Sequence, residues 1–211
     1  MKLHLPAPGR LTPNDEHDPL PYYYHPLVGW LYRRRLQMAL DLLPAGGTRA
    51  LEVGVGSGIL IPTLTARYPE YRGSDLVLAS GLDGLVAPSC RASFIAADLQ
   101  DPSSLPAEHY DVVLCLSVLE HIADAERAAA ALARCLVSGG TLVAGYPMVN
   151  GLMTHLFRAI GFRNIEAHHV TAPARIQRAL ARVLHLAKRT ALPPLAPTSL
   201  ALYQCSAWVK R

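Results

Sequence analysis

The stretch Ala50-Leu51-Glu52-Val53-Gly54-Val55-Gly56-Ser57-Gly58 sets three glycines within five positions, directly behind a short apolar run that carries one acid. A run of that length reads as a strand, and the glycines turn the chain away from it. The next segment, "GILIPTLTARYP" (residues 58–69), reads as a helix with Pro62 in its first turn, the helical region that tolerates proline. Strand, bare turn and helix in that order open an α/β unit. Glycine at such a turn lets the backbone come close to a ligand and take torsions that a side chain forbids.

Downstream the pattern repeats. "YRGSDLV" (71–77) reads as a strand ending in an acid, "SGLDGLVAPSC" (80–90) as a helix with loose ends, and "ASFIAADL" (92–99) as a third strand. "YDVVLCLSVLEHI" (110–122) is a fourth strand running into a polar turn, followed by the alanine-rich helix "DAERAAAALARCL" (124–136) and a fifth strand, "GGTLVAGYP" (139–147). Such alternation requires parallel strands joined by right-handed helical crossovers, hence a doubly wound sheet covered on both faces. Near the end, "GLMTHLFRAIGF" (151–162) reads as a helix and "RNIEAHHV" (163–170) as a strand. "APARIQRALARVLHLAKR" (172–189) reads as an amphipathic helix and "SLALYQCSAWVKR" (199–211) as a last strand.

Upstream, five prolines between residues 4 and 21 favour extended or turn conformations. Residues 1–25 are therefore expected to form a proline-rich arm, and 26–211 a single domain that opens with a helix from Pro26 to the Pro44-Ala45-Gly46-Gly47 stop. Tyr22, Tyr23 and Tyr24 either wall a ligand or pack the arm onto the body.

With 211 residues and 51% hydrophobic content, the chain can bury one core, and 17% charged residues is too few for a disordered chain. No run of eighteen apolar residues and no secretion-type leader is visible, so a cytoplasmic location is expected. Cys90, Cys115, Cys135 and Cys205 form no C-x-x-C pair. They read as reduced thiols, with Cys115 and Cys205 packed inside strands. His168-His169 lacks companions at ligand spacing, and no metal site is expected.

In an open parallel sheet the ligand crevice lies beyond the carboxyl ends of the strands. The glycine turn lacks the Lys-Ser/Thr of a P-loop, and Ile59 stands where the dinucleotide fingerprint needs its third glycine. Glu52, two residues before the first glycine, would repel a pyrophosphate and attract an ammonium group.

The arrangement E-x-G-x-G-x-G resembles the first motif of the class I S-adenosylmethionine-dependent methyltransferases. Asp75 in "RGSDL", Asp98-Leu99 in "AADL", "YDVVLCLSVLEHI" and "CLVSGGTLVAGYP" (135–147) continue the resemblance in order, closest to the branch that includes quinone-biosynthesis enzymes. It implies a Rossmann-like, mostly parallel seven-stranded sheet with an antiparallel last strand; this sequence departs from the family in an extra helix between the last two strands, which the family joins by a hairpin turn. It implies S-adenosylmethionine as cofactor, held by Glu52, Gly54, Gly56, Gly58, Asp75, Leu76, Asp98, Leu99 and Leu116. In that reading Asp75 accepts the ribose hydroxyls and Asp98-Leu99 reads the adenine edge. Asp75-Leu76-Val77 departs from the family's polar D-x-S.

His121 is the candidate catalytic base, or a structural partner at the start of the next helix. The function expected is methyl transfer to a small or lipid-like acceptor; the alternative is a silent module that binds the cofactor.

Residues 1–126 hold 9 Lys+Arg and 15 Asp+Glu, net −6, while 127–211 hold 11 and 1, net +10. The helix from 172 places Ile176, Leu180, Val183, Leu184 and Ala187 on one face, away from Arg175, Arg178, Arg182, Lys188 and Arg189. Such a helix either carries a solvated basic face or borders the acceptor pocket, attracting an anionic acceptor or a membrane surface. No nucleic-acid motif accompanies the charge.

Overall fold

The computed structural model describes residues 1–16, 18–101, 103–148, 170–194, 197 and 200–211. Seven strands form one sheet in the order β3-β2-β1-β4-β5-β7-β6: β1 Arg49–Val53, β2 Glu70–Asp75, β3 Arg91–Ala96, β4 Tyr110–Leu116, β5 Leu136–Pro147, β6 His185–Leu192 and β7 Tyr203–Val209. Pairing is parallel from β3 through β5, and β7 runs antiparallel to both β5 and β6. The chain winds outward from β1 to β3 and then returns to β4 on the other side of β1. The switch point of the winding thus falls between β1 and β4, where a ligand crevice belongs.

Alternation along the strands sorts the core onto two faces. Ala50, Val112, Leu114, Val143 and Ala207 face one layer, built by α1 (Leu20–Tyr24), α2 (Gly29–Leu40) and α3 (Ile61–Thr65). Leu51, Val53, Val113, Cys115, Leu142 and Trp208 face the other, built by α4 (Ala125–Cys135) and α5 (Pro173–Val183). Asp124 caps α4 by accepting the Arg127 N–H at 2.9 Å, a bond that contributes about 1 kcal/mol. Ile176, Ala179 and Leu180, at i, i+3 and i+4, bury the inner face of α5. Cys115 and Cys205 are buried within β4 and β7, and all four thiols are free.

Four expectations need correction. The segment 80–90 holds only a 3-10 turn, Leu82–Leu85, which Gly81 enters at φ 77 and in which Gly84 is a poor helix former. The helix begun at Pro173 stops at Val183 and not at residue 189; His185–Leu192 is β6, so Lys188 and Arg189 belong to a strand. Main-chain pairing with β7 outweighs the helical spacing that those residues continue. It follows that the extra helix precedes β6, and that β6 and β7 are antiparallel neighbours. Finally, the segment expected to be irregular contains α1. The helix expected at 151–162, His168 and His169 lie outside the described residues, as does the strand at 163–170 but for Val170.

The arm packs on the body. Leu11, Leu20 and Tyr23 are buried in the first layer, and the His4 N–H donates to the Thr63 hydroxyl at 2.9 Å.

Candidate active site

The ends of β2, β1 and β4 are adjacent, so the turns that follow them meet. Gly54, Gly56 and Gly58 have φ of 80°, 51° and 82°. A Cβ on Gly54 would run into the Val118 side chain, and one on Gly58 would fall within 2.9 Å of Ile61, Leu82 and Leu85. Gly56 differs: a Cβ there would meet only the Asp18 carboxylate, at an ordinary contact distance of 3.6 Å. Two glycines thus serve close packing, and the middle one is limited by its left-handed torsion and not by its neighbours.

Asp75, the last residue of β2, is held from both sides. The Gly56 N–H donates to its Oδ2 and the Leu76 N–H to its Oδ1, each at 2.8 Å. A carboxylate offers about four lone-pair positions. Each oxygen therefore retains one, and two acceptors side by side match the two O–H groups of a vicinal diol. Leu76 itself is 68% exposed.

Glu52 lies beneath this turn, 5% exposed, and accepts the Tyr71 hydroxyl at 2.5 Å. Burial raises its pKa to about 8, the Tyr71 bond opposing and the Asp75 charge assisting. A cationic ligand overhead would favour its ionised form.

At the end of β3 the side chain of Asp98 is exposed and its Oδ1 accepts the Gln100 N–H at 2.8 Å, while Leu99 is buried in the core. The Ala97 N–H bonds the Asp75 carbonyl at 2.9 Å, which ties the two strand ends together. Leu116 closes β4 and packs partly buried against the first layer. These residues lie at or just beyond the carboxyl ends of β1, β2, β3 and β4, at one end of the sheet, with Leu99 and Leu116 in opposite core layers. His121 stands apart on the turn Leu119–His121, half exposed, with its Nε2 3.9 Å from Glu120.

Residues that sequence reasoning passed over join the site. Asp18 reaches the glycine turn from the arm. It accepts the Leu20 N–H at 2.8 Å and the Asn14 N–H at 3.2 Å and bonds the Ser57 hydroxyl; burial raises its pKa despite these bonds. Glu120 is 3% exposed, its Oε2 has no partner among the described residues, and burial raises its pKa to about 8. Ser117 follows β4 at φ 56, a conformation uncommon outside glycine and one that gathers at functional sites. Its hydroxyl lies 3.0 Å from that of Tyr203. The Arg35 guanidinium stands 4.2 Å from the ring centre of Tyr32 and 4.9 Å from that of Tyr203. Of the tyrosines that the sequence set either to wall a ligand or to pack the arm, Tyr23 is buried and packs edge-on against Tyr32, while Tyr22 stacks on Tyr32. The signals for these residues in sequence were only an acid before a proline, "LEH" and scattered tyrosines.

The arrangement fits a cofactor with a vicinal diol and an ammonium group: a diol acceptor pair, bare backbone beside it and a buried acid below. Among the described residues no group of three His, Cys, Asp or Glu side chains could hold a metal, and no helix is long and apolar enough to cross a membrane.

A family described as "Methyltransferase domain" matches residues 30–187. The chain is 32% identical over 114 residues to a ubiquinone biosynthesis O-methyltransferase of Methylococcus capsulatus, covering 51% of this chain and 47% of that protein. It is 34% identical over 113 residues to the enzyme of that name from Marinobacter nauticus, covering 50% and 47%. The chain thus spans about half the length of these curated relatives. Among solved structures, the N-methyltransferase NodS of Bradyrhizobium japonicum in complex with S-adenosyl-L-homocysteine aligns at TM-score 0.63 and 17% identity, over 92% of this chain and 93% of that one. The [4+2]-cyclase SpnF aligns at TM-score 0.61 and 15% identity, over 86% and 82%.

Proposed function

The chain belongs to the methyltransferase-domain family, and from that membership we propose that it moves a methyl group from S-adenosylmethionine to a nucleophilic oxygen of a small or lipid-like molecule. The observation that carries the cofactor assignment is the pair of lone pairs left on Asp75 after two backbone N–H groups have fixed its carboxylate. The oxygen acceptor is inferred from the names of the relatives quoted above.

When bound, the cofactor supplies an electrophilic sulfonium methyl, so the protein's task is alignment and exclusion of water. Gly54, Gly56 and Gly58 would let the backbone approach, Asp75 would take the ribose hydroxyls, and Glu52, once ionised, would balance the ammonium. Leu76, Asp98 and Leu99 would border the adenine, and Leu116 would support the methionine portion. Ser117, Tyr203 and Arg35 offer polar groups to the acceptor. Tyr203, whose pKa burial holds well above its ordinary value, remains an O–H donor. Where the acceptor keeps its proton, Glu120 would take it and His121, 3.9 Å from Glu120, would pass it to solvent.

The basic residues of α5 are a lesser part of this reading than their charge suggests. Arg175 pairs with Glu126 at 2.9 Å, leaving Arg178 and Arg182 to favour an anionic acceptor or surface.

Calorimetry with S-adenosylmethionine and S-adenosylhomocysteine, followed by transfer of labelled methyl to a panel of phenolic and quinol acceptors, tests the proposal. Saturable binding with label in an acceptor supports it. Binding without transfer to any acceptor leaves a cofactor-binding module, and binding of NADH alone removes the cofactor assignment.

A further inference from the structure

A cavity of about 250 Å³ opens at the opposite end of the sheet, at the start of strands β1 to β4 and away from the glycine turn. Arg49, Arg72, Arg91, Ser93, His109 and Tyr110 line it, with Glu70 the single acid of the lining. Its existence follows from the fold. Elsewhere helices cover this face of the sheet, but the link between β3 and β4 forms no helix in its described residues, so the first residues of β2 and β3 lie partly uncovered. Register then stacks the cations. Arg49 and Arg91 both pair with Glu70 as strand neighbours, and Arg72 lies beside Ser93 two residues further along the same face.

The charges do not cancel. Glu70 is bonded to Arg91 at 2.5 Å, and Asp111, outside the lining, sits 3.7 Å from Arg49. Arg72 donates its Nε to the Ser93 hydroxyl at 3.0 Å and has no carboxylate partner among the described residues. That hydrogen bond orients the guanidinium; the Tyr110 hydroxyl interacts with it as well, and the five N–H donors of an arginine leave others for a further acceptor. The His109 ring, edge-on to Tyr110 with centres 4.8 Å apart, builds a side wall with further polar ring atoms. A partly enclosed cavity with three guanidinium groups, the Ser93 and Tyr110 hydroxyls and one imidazole, against the single carboxylate of Glu70, suits a compact oxyanion with several acceptor oxygens, because arginine forks match tetrahedral phosphate bidentately.

We propose that this cavity is a second ligand site, distinct from the methyl-transfer site, that binds a small phosphorylated molecule through Arg72, with Arg49 and Arg91 as flanking charges. It is independent of the cofactor assignment, since it shares no residue with the glycine turn.

The test is calorimetric titration of the full chain with inorganic phosphate and with pyrophosphate at constant ionic strength, chloride serving as the control anion. Saturable one-site binding of either probe is expected, weakened about tenfold or more in Arg72→Gln, which loses a charge-assisted bond. Arg91→Gln, a change at an exposed side chain that leaves folding intact, should weaken it less, and Arg127→Gln, at an exposed side chain of α4, should not alter it. S-adenosylhomocysteine affinity should be the same in all three variants. The proposal is overturned if neither probe binds saturably at millimolar concentration, if Arg72→Gln and Arg127→Gln bind alike, or if only a duplex oligonucleotide binds and phosphate does not compete with it.

Discussion

Replacing Asp75 by alanine is the sharpest probe of the cofactor site. In the parent, two backbone N–H groups occupy one lone pair on each carboxylate oxygen. The remaining two are expected to accept the ribose hydroxyls. Each hydrogen bond to a charged acceptor contributes about 1.5 to 3 kcal/mol, so two contribute about 3 to 6. At 1.4 kcal/mol per tenfold, S-adenosylhomocysteine should bind roughly 10² to 10⁴ times more weakly to the variant. The lower end is expected, because Asp75 is only partly buried and water can replace it on the Gly56 and Leu76 N–H groups. A 2′-deoxyribose analogue of the ligand completes a cycle. It should bind more weakly than S-adenosylhomocysteine to the parent, and equally to Asp75→Ala, since the variant has lost the partner of the missing hydroxyl. Calorimetry gives all four affinities, and circular dichroism checks folding. A well-folded variant that binds within about threefold of the parent, or that still discriminates against the deoxy analogue, refutes the lone-pair argument.

Glu52→Gln should flatten the pH dependence of stability. Folded Glu52 keeps its proton up to about 8, whereas the unfolded chain releases it near 4.5. Folding therefore binds a proton between those values, and this group's contribution falls as pH rises from 4.5 to 8, by at most about 5 kcal/mol, and is constant above. Denaturant unfolding at pH 5 and pH 8.5 should show the variant gaining on the parent as pH rises; an unchanged difference excludes the protonated buried acid. Gly54→Ala places a methyl against Val118 at φ 80°, and left-handed backbone plus overpacking should cost about 2 to 5 kcal/mol. Adding Val118→Ala should recover the packing part; a single variant as stable as the parent would show that the turn relaxes freely.

The sequence alone determined the α/β class, the strand at 49–53, the bare turn and the acids at strand ends. Each depends on chemistry within a few residues: apolar runs, glycine torsions and proline at a first helical turn. The antiparallel β7 was legible through resemblance, and Cys115 and Cys205 through their apolar surroundings. Tertiary structure decided the rest, because those features depend on partners far along the chain. Residues 184–189 continue a helical pattern, and only the ladder with β7 draws them into β6. Glu52 reads from its apolar neighbours as a buried acid, but its partner Tyr71 lies nineteen residues on and only the pairing of β1 with β2 brings it there. Asp18 belongs to a stretch that local rules treat as irregular, yet packing of Leu11, Leu20 and Tyr23 carries its carboxylate to Gly56. The three arginines of the far cavity stand 23 and 19 positions apart in sequence and gather only because parallel strands place the start of each beside the start of the next. Local torsional and periodic preferences are written residue by residue, whereas burial, pairing and electrostatic environment arise only when distant segments share one surface.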